Sequence, residues 1–241
     1  MTTPSDQRAT ITPPGELFRS LWRPLLVGAF VAAMVFVFLK LGSEVVEGET
    51  QGVDQYVLLL AQALREQNPR LAGMMRDLTA LGSVVVLTGL TAVTVGYLAL
   101  FGSKRLAALV GMAMISGTAL VSVFKSFFGR ARPDASFAEL TVSGLSFPSG
   151  HASMSAIAFL TIGALLATTH QRARERVYIL LVASLITLLV GLSRIALGVH
   201  WTTDVIGGWA FGSAWAVVWL QVARMLTQRQ AAALKPSDRR G

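Results

Sequence analysis

The sequence predicts an all-α integral membrane bundle of six transmembrane helices, and three observations carry that prediction. The mean hydropathy is +0.59. Hydrophobic residues make up 53% of the chain and charged residues only 14%, against roughly 25% charge in a soluble domain. The apolar residues gather into six almost uncharged stretches, each near the roughly 20 residues that cross a bilayer. One buried helix of a soluble protein would explain one such stretch, but not six within 241 residues.

Residues 1–23 are polar, carry Pro4, Pro13 and Pro14, and lack the apolar run and small-residue cleavage site of a signal peptide. They are expected to form a disordered cytoplasmic tail. The membrane domain then covers 24–224, with a first span near Pro24–Leu41. A long acidic-leaning connection follows over 42–80, with Glu44, Glu47, Glu49 and Asp54. Within it Val53–Gln67 has the pattern of a short amphipathic helix. It either lies along the outer interface or packs on the bundle as a loop helix. Spans two and three, near Leu81–Phe101 and Leu106–Phe124, flank a tight turn with Lys104 and Arg105. Spans four and five, near Ala152–Thr168 and Val177–Leu192, are short and extend into flanking Ser, Gly and Thr. Arg172, Arg174 and Arg176 lie between them. The sixth span is near Val205–Ala223, and 225–241 is a basic cytoplasmic tail. Gly89, Gly96, Gly111, Gly117, Gly207, Gly208 and Gly212 recur inside the spans. Small residues let helices approach closely in lipid, so the bundle is expected to be compact.

The net charge of +8 does not indicate nucleic acid, because no long run of Lys or Arg is present. The basic residues cluster at span ends, where the positive-inside rule and anionic lipids account for them. That rule places both termini in the cytoplasm and the protein as a multi-pass component of the inner (plasma) membrane. The partners expected are membrane lipids, and no oligomeric state is assigned. The absence of cysteine excludes disulfides and thiolate metal sites. On the opposite face the cations are few: Lys40, Arg65, Arg70 and Arg76, then Lys125, Arg130, Arg132 and Arg194.

Half of those exceptions lie in or beside three polar strings: Lys125 to Pro133 (KSFFGRARP), Pro148 to His151 (PSGH), and Ser193-Arg194 followed by His200 and Asp204. The topology brings all three to one membrane face. Gly129 and Pro133 argue against an unbroken helix, which places Lys125 at a helix end and Arg132 in the loop beyond. Each alone reads more simply as a snorkelling or solvated charge. With Arg194 they form a cation set that suits phosphate, since Arg offers planar paired donors and Lys a point charge. Pro148-Ser149-Gly150-His151 sets a tight turn into a helix start. There Ser149 serves as an N-cap and the free N–H groups as an anion cradle. His151 stands at the helix mouth, where a general acid is useful. His200 and Asp204, four residues apart, fall on one face of a helix. A carboxylate on one ring nitrogen leaves the other free as a nucleophile. The rival reading, a zinc site, lacks a third ligand and would sit among three cations. His170 lies in the cytoplasmic turn and is read as a bystander.

The pattern KxxxxxxRP, PSGH and SRxxxxxHxxxD resembles the signature of the type 2 phosphatidic acid phosphatase superfamily, in its membrane-bound bacterial lipid phosphatase branch. That superfamily also contains bacterial acid phosphatases and vanadium haloperoxidases. Every signature position matches, and the match covers Lys125 to Asp204. The resemblance implies a core of that fold. It implies that His200 attacks phosphorus to form a phosphohistidine and that Asp204 orients it. Lys125, Arg132, Arg194, Ser149 and the Gly150 backbone would hold the phosphate oxygens. His151 would protonate the leaving group and then activate water. No metal or other cofactor is implied. The substrate expected is a lipid phosphate or diphosphate: phosphatidic acid, phosphatidylglycerol phosphate or undecaprenyl diphosphate, hydrolysed at the periplasmic or outer face. The alternatives are lipid-to-lipid phosphotransfer or a lipid A phosphatase and, behind them, a haloperoxidase. A transporter would carry its charges near the membrane midplane rather than at one face.

Overall fold

The computed structural model describes residues 14–233 and is built of α-helices: α1 (Pro14–Glu47), α2 (Gln51–Gln67), α3 (Pro69–Ala80), α4 (Val84–Phe101), α5 (Lys104–Phe128), α6 (Gly150–Thr168), α7 (Ala173–Ala196) and α8 (Thr202–Ala233). Six helical segments among the described residues are long and apolar enough to cross a membrane. Each contains one of the six predicted stretches and extends beyond it. α1 and α8 continue as helix into the segments read as tails, and residues 1–13 and 234–241, the remainder of those tails, lie outside the described residues.

The 42–80 connection is two helices rather than a loop. Pro69 starts α3, where its fixed φ suits a first helical turn and its missing N–H is not needed. α3 runs on through a short bend into α4, so the second span is the compound segment Pro69–Phe101. Side chains on the outer surface of the spans are apolar; Val85 is 82% and Ile115 73% exposed, as residues facing lipid are.

α6 is the centre of the bundle, with half of its apolar window buried, against 11% for α1. α7 and α8 flank it, α1 packs on α8, and α4 on α5. α6 and α8 nearly touch. At Gly208 a Cβ would stand 2.9 Å from both Ala152 Cβ and the Ser149 carbonyl oxygen. Below that contact lies an aromatic floor in which Phe147, fully buried, stacks on Phe38 at 5.6 Å and meets Phe128 edge-on at 4.9 Å. The floor fixes the chain just before Pro148 and thereby the start of α6. The α4–α5 and α6–α7 turns fall at one end of the bundle. The α5–α6 and α7–α8 connections fall at the other.

Candidate active site

The residues of the three polar strings meet where α5 ends and where α6 and α8 begin. α5 stops at Phe128 because Gly129 takes the left-handed conformation (φ 60°) and its N–H closes on the Lys125 carbonyl at 3.0 Å. Lys125 is therefore in the last helical turn and Arg132 in the loop. Lys125 Nζ donates to the carbonyls of Leu145 (2.6 Å) and Ser146 (3.1 Å). An ammonium has three protons, so one is left for a ligand. Arg132 Nε donates to the Gly144 carbonyl at 3.0 Å and Nη1 to that of Val199 at 2.8 Å. The same Nη1 stands 3.0 Å from His200 Nε2.

Ser149 is the N-cap of α6, its hydroxyl accepting from the Ala152 N–H at 3.5 Å. Its own N–H donates to the Asp204 carbonyl at 2.9 Å, which ties α6 to α8. Gly150 and His151 open the helix, so their N–H groups have no intrahelical acceptor and sit at the positive end of the helix dipole. His151 is half-buried beside Gly82, where a Cβ would come within 3.2 Å of its ring. It lies within electrostatic reach of Arg194, His200, Arg132 and Lys125. Arg194, in the last turn of α7, is 3% exposed. Its Nη1 donates to Thr79 Oγ1 at 2.9 Å, while its buried Nε has no hydrogen-bond partner among the described residues. An orphaned buried guanidinium N–H is costly, and a phosphate oxygen is the acceptor that suits it best.

His200 and Asp204 do meet, but not on a helix face. His200 lies in the turn before α8, and Asp204 is in the helix's first turn. The carboxylate folds back over the helix start because the donors there are unpaired. Asp204 Oδ2 accepts from the Trp201 N–H at 2.9 Å and from Ser146 Oγ, and stands 3.2 Å from His200 Nδ1. This network assigns the imidazole proton to Nδ1 and leaves Nε2 as the free lone pair, facing Arg132. Burial pushes the His200 pKa down to about 4 against the opposing pull of Asp204. The ring is therefore neutral at pH 7. Among the described residues no three His, Cys, Asp or Glu side chains are grouped as metal ligands. His170 sits at the opposite end, 3.2 Å from Glu175.

Five further residues support this set, none of which sequence reasoning gave a role; one of them, Arg130, lies inside the first string. Thr79 holds Arg194, and Ser146 holds Asp204. Arg65, 6% exposed, donates to the carbonyls of Ala196 and Phe137 (2.8 Å for the latter) and so laces α2 to both loops. Arg130 bridges two buried carboxylates, Asp204 at 2.7 Å and Asp54 at 2.6 Å. Arg65 and Arg130 were both exceptions to the positive-inside pattern, which is the signal that singles out Arg65; Arg130 carries a second, its place inside the first string. Asp54 and Thr79 carry none. Beside Arg132 a cavity of about 380 Å³ opens between α1, α2 and the 130–137 loop.

The sequence profile of the PAP2 superfamily matches residues 106–228. The chain is 35% identical over 187 residues to phosphatidylglycerophosphatase B of Bacillus subtilis (strain 168), covering 75% of this chain and 88% of that protein. Its fold is similar to the crystal structure of a transmembrane PAP2-type phosphatidylglycerolphosphate phosphatase from Bacillus subtilis, with a TM-score of 0.75 and 26% identity over 81% of this chain and 96% of the other. Aquifex aeolicus LpxE is similar at a TM-score of 0.55, again with 26% identity, over 70% and 95% of the two chains. A six-span bundle with the whole signature at one end, matched over half its length by the family profile and at 35% identity by a curated phosphatase, belongs to the PAP2 superfamily as a multi-pass membrane phosphatase.

Proposed function

We propose that this phosphatase hydrolyses a lipid phosphomonoester, phosphatidylglycerol phosphate foremost, through a phosphohistidine on His200. The observation that carries the reading is the neutral, buried imidazole of His200, with Nδ1 3.2 Å from Asp204 and Nε2 3.0 Å from Arg132. The similarity to a phosphatidylglycerophosphatase supports the choice of lipid. The site's position at helix ends supports a lipid substrate, because a head group reaches it with the tails still in the bilayer.

Lys125, Arg132, Arg194 and the Gly150 and His151 N–H groups hold the three non-bridging oxygens and stabilise the charge of the transition state. Arg132 Nη1 gives up Nε2 for a phosphate oxygen as substrate enters, which frees the nucleophile. Nε2 then attacks phosphorus, the ester P–O bond breaks, and His151 gives its proton to the leaving alkoxide. In the second step His151 takes a proton from water, the water oxygen attacks phosphorus, and the N–P bond breaks to release inorganic phosphate. The basic loops support an orientation with both tails cytoplasmic and the site on the outer face. The division into a 24–224 domain and two tails belongs to the same proposal.

The test is phosphate release by the purified protein from phosphatidylglycerol phosphate, phosphatidic acid and undecaprenyl diphosphate. Fastest release from the first is expected, and no release from any would overturn the reading. Phosphate recovered on an acceptor lipid instead of in solution would make the protein a transferase. EDTA should leave the rate unchanged, because fixed cations supply the charge that a metal provides elsewhere; strong inhibition would count against it.

The pH dependence has a definite sign. His200 loses its nucleophilic lone pair on protonation, so kcat/KM should fall as pH drops through about 4, the value to which burial lowers its pKa. The substrate's own second ionisation, near pH ~6, is divided out first. An enzyme-borne limb at the ordinary histidine value of 6.5 would show that His200 is solvated.

A further inference from the structure

We propose that Asp54, on α2 and outside the polar strings, is a positioning residue for the His200–Asp204 pair and acts through Arg130. The inference rests on the phosphohistidine reading above. Arg130 divides its guanidinium between two carboxylates. Nη1 donates to Asp204 Oδ1 at 2.7 Å and to Thr203 Oγ1 at 2.7 Å. Nη2 donates to Asp54 Oδ2 at 2.6 Å and to Thr50 Oγ1 at 3.0 Å. Asp54 also reaches the start of α8 directly. Its Oδ1 accepts from the Thr203 N–H at 3.0 Å and its Oδ2 from the Thr203 hydroxyl at 2.7 Å. A carboxylate from α2 thus caps α8 one residue before Asp204, with its charge at the positive end of the helix dipole.

The consequence is a division of labour within Asp204. Oδ1 is taken by Arg130, which leaves Oδ2 to accept from Ser146, the Trp201 N–H and His200 Nδ1. Without Asp54, Thr50 is the one remaining hydrogen-bond acceptor of Nη2 among the described residues. The Trp201 ring, its centroid 5.5 Å from the guanidinium carbon, contacts the face of the group without fixing its rotation in that plane. The guanidinium is then free to turn both nitrogens onto Asp204 and draw Oδ2 away from the imidazole. Asp54 and Asp204 are both fully buried, at 1% and 0% exposure, and Arg130 is 11% exposed at the side chain, so solvent does not screen this coupling. The clamp bears on orientation of the nucleophile and not on the cations that face phosphate. It should therefore affect the chemical step and spare binding.

The full-length protein is purified in detergent as Asp54→Asn, Arg130→Gln and the double variant, with phosphatidylglycerol phosphate in mixed micelles. Rapid quench with radiolabelled substrate gives the rate constant of phosphoenzyme formation, which does not depend on the fraction of folded molecules. That constant should fall about 10- to 100-fold, the loss seen when a carboxylate partner that orients a metal-bound histidine is removed. Inhibition by inorganic phosphate should stay as in the parent. The double variant should be no slower than Arg130→Gln alone, since Asp54→Asn keeps an oxygen to accept from the Thr203 N–H and the rest of its effect runs through Arg130. A loss confined to amplitude, a multiplicative loss in the double variant, or weakened phosphate inhibition at an unchanged rate constant would each overturn the assignment. Should Asp54→Asn fail to fold, Thr50→Val removes the other acceptor of Nη2 and should lower the same rate constant to a lesser degree; an unchanged constant overturns it. His200→Ala separates the two levels. If it is inactive while Asp54→Asn matches the parent, only the clamp fails; if it is fully active, the phosphohistidine reading fails.

Discussion

His200→Ala should lower phosphate release by roughly 10⁴-fold or more and abolish acid-labile labelling of the protein by radiolabelled substrate, since removing a covalent nucleophile removes both steps. Insertion and folding should survive, because the turn that carries His200 is anchored independently. Val199 accepts from Arg132 at 2.8 Å and Asp204 accepts from the Trp201 N–H at 2.9 Å, neither through the imidazole. Asp204→Asn should cost on the order of 10⁴-fold by a different route. An amide oriented by the Arg130 and Trp201 donors has no negative charge to hold the Nδ1 proton, and the tautomer that exposes Nε2 is lost. The pair of variants separates attack from orientation. His200→Ala removes the phosphoenzyme altogether, while Asp204→Asn should slow its formation and leave a reduced label that is still on His200. Retained activity in His200→Ala, measured on protein with native detergent-extracted melting, would remove the nucleophile from the scheme.

The spans and the strings were legible in the sequence for simple reasons. Burying a charge in lipid is expensive, so uncharged runs of span length mark the bilayer directly. Lys125, Arg132, Ser149 and Arg194 are each near a helix end that Gly129, Pro148 or Gly198 marks. What was not legible is held by contacts across the chain. Asp54 meets Arg130 from 76 positions away, and Arg194 meets Thr79 from 115. No local pattern shows which face of α2 turns inward. The amphipathic pattern of Val53–Gln67 left two placements, along the outer interface or packed on the bundle. α2 packs on the bundle, burying Asp54, Leu58 and Arg65 and exposing Val53 and Tyr56. Polar side chains point inward there because the turns they grip expose unpaired N–H and C=O groups at two helix ends. The His200–Asp204 spacing identified the pair but not its geometry, since a carboxylate in a first helical turn caps the helix and draws the preceding residues over it.

Gly198→Ala should be the most damaging single-methyl change in the site region. Gly198 has φ +68°, and a Cβ there would stand on the Phe137 carbonyl oxygen and 2.8 Å from its carbon. Both neighbours are backbone, so no side-chain rotation relieves the overlap. The same carbonyl accepts from Arg65 Nη2 at 2.8 Å, and the Glu139 N–H donates to the Leu197 carbonyl at 3.0 Å. The added methyl therefore pushes apart two segments that α2 has laced together, and one of them leads within two residues to His200. Left-handed backbone in a non-glycine residue costs about 1–3 kcal/mol by itself. A displacement of the nucleophile by an ångström costs on the order of 100-fold in rate. Gly129→Ala is the matched control. Its φ of +60° is equally unfavourable, but a Cβ there meets nothing within 4 Å. It should lose stability to a similar conformational cost, with little change in the rate of phosphoenzyme formation. If both variants lose rate equally, the crowding at Phe137 has no bearing on His200 and the turn is set by Asp204 alone. If only Gly198→Ala loses rate, α2 controls the nucleophile's position through the Phe137 loop as well as through Arg130.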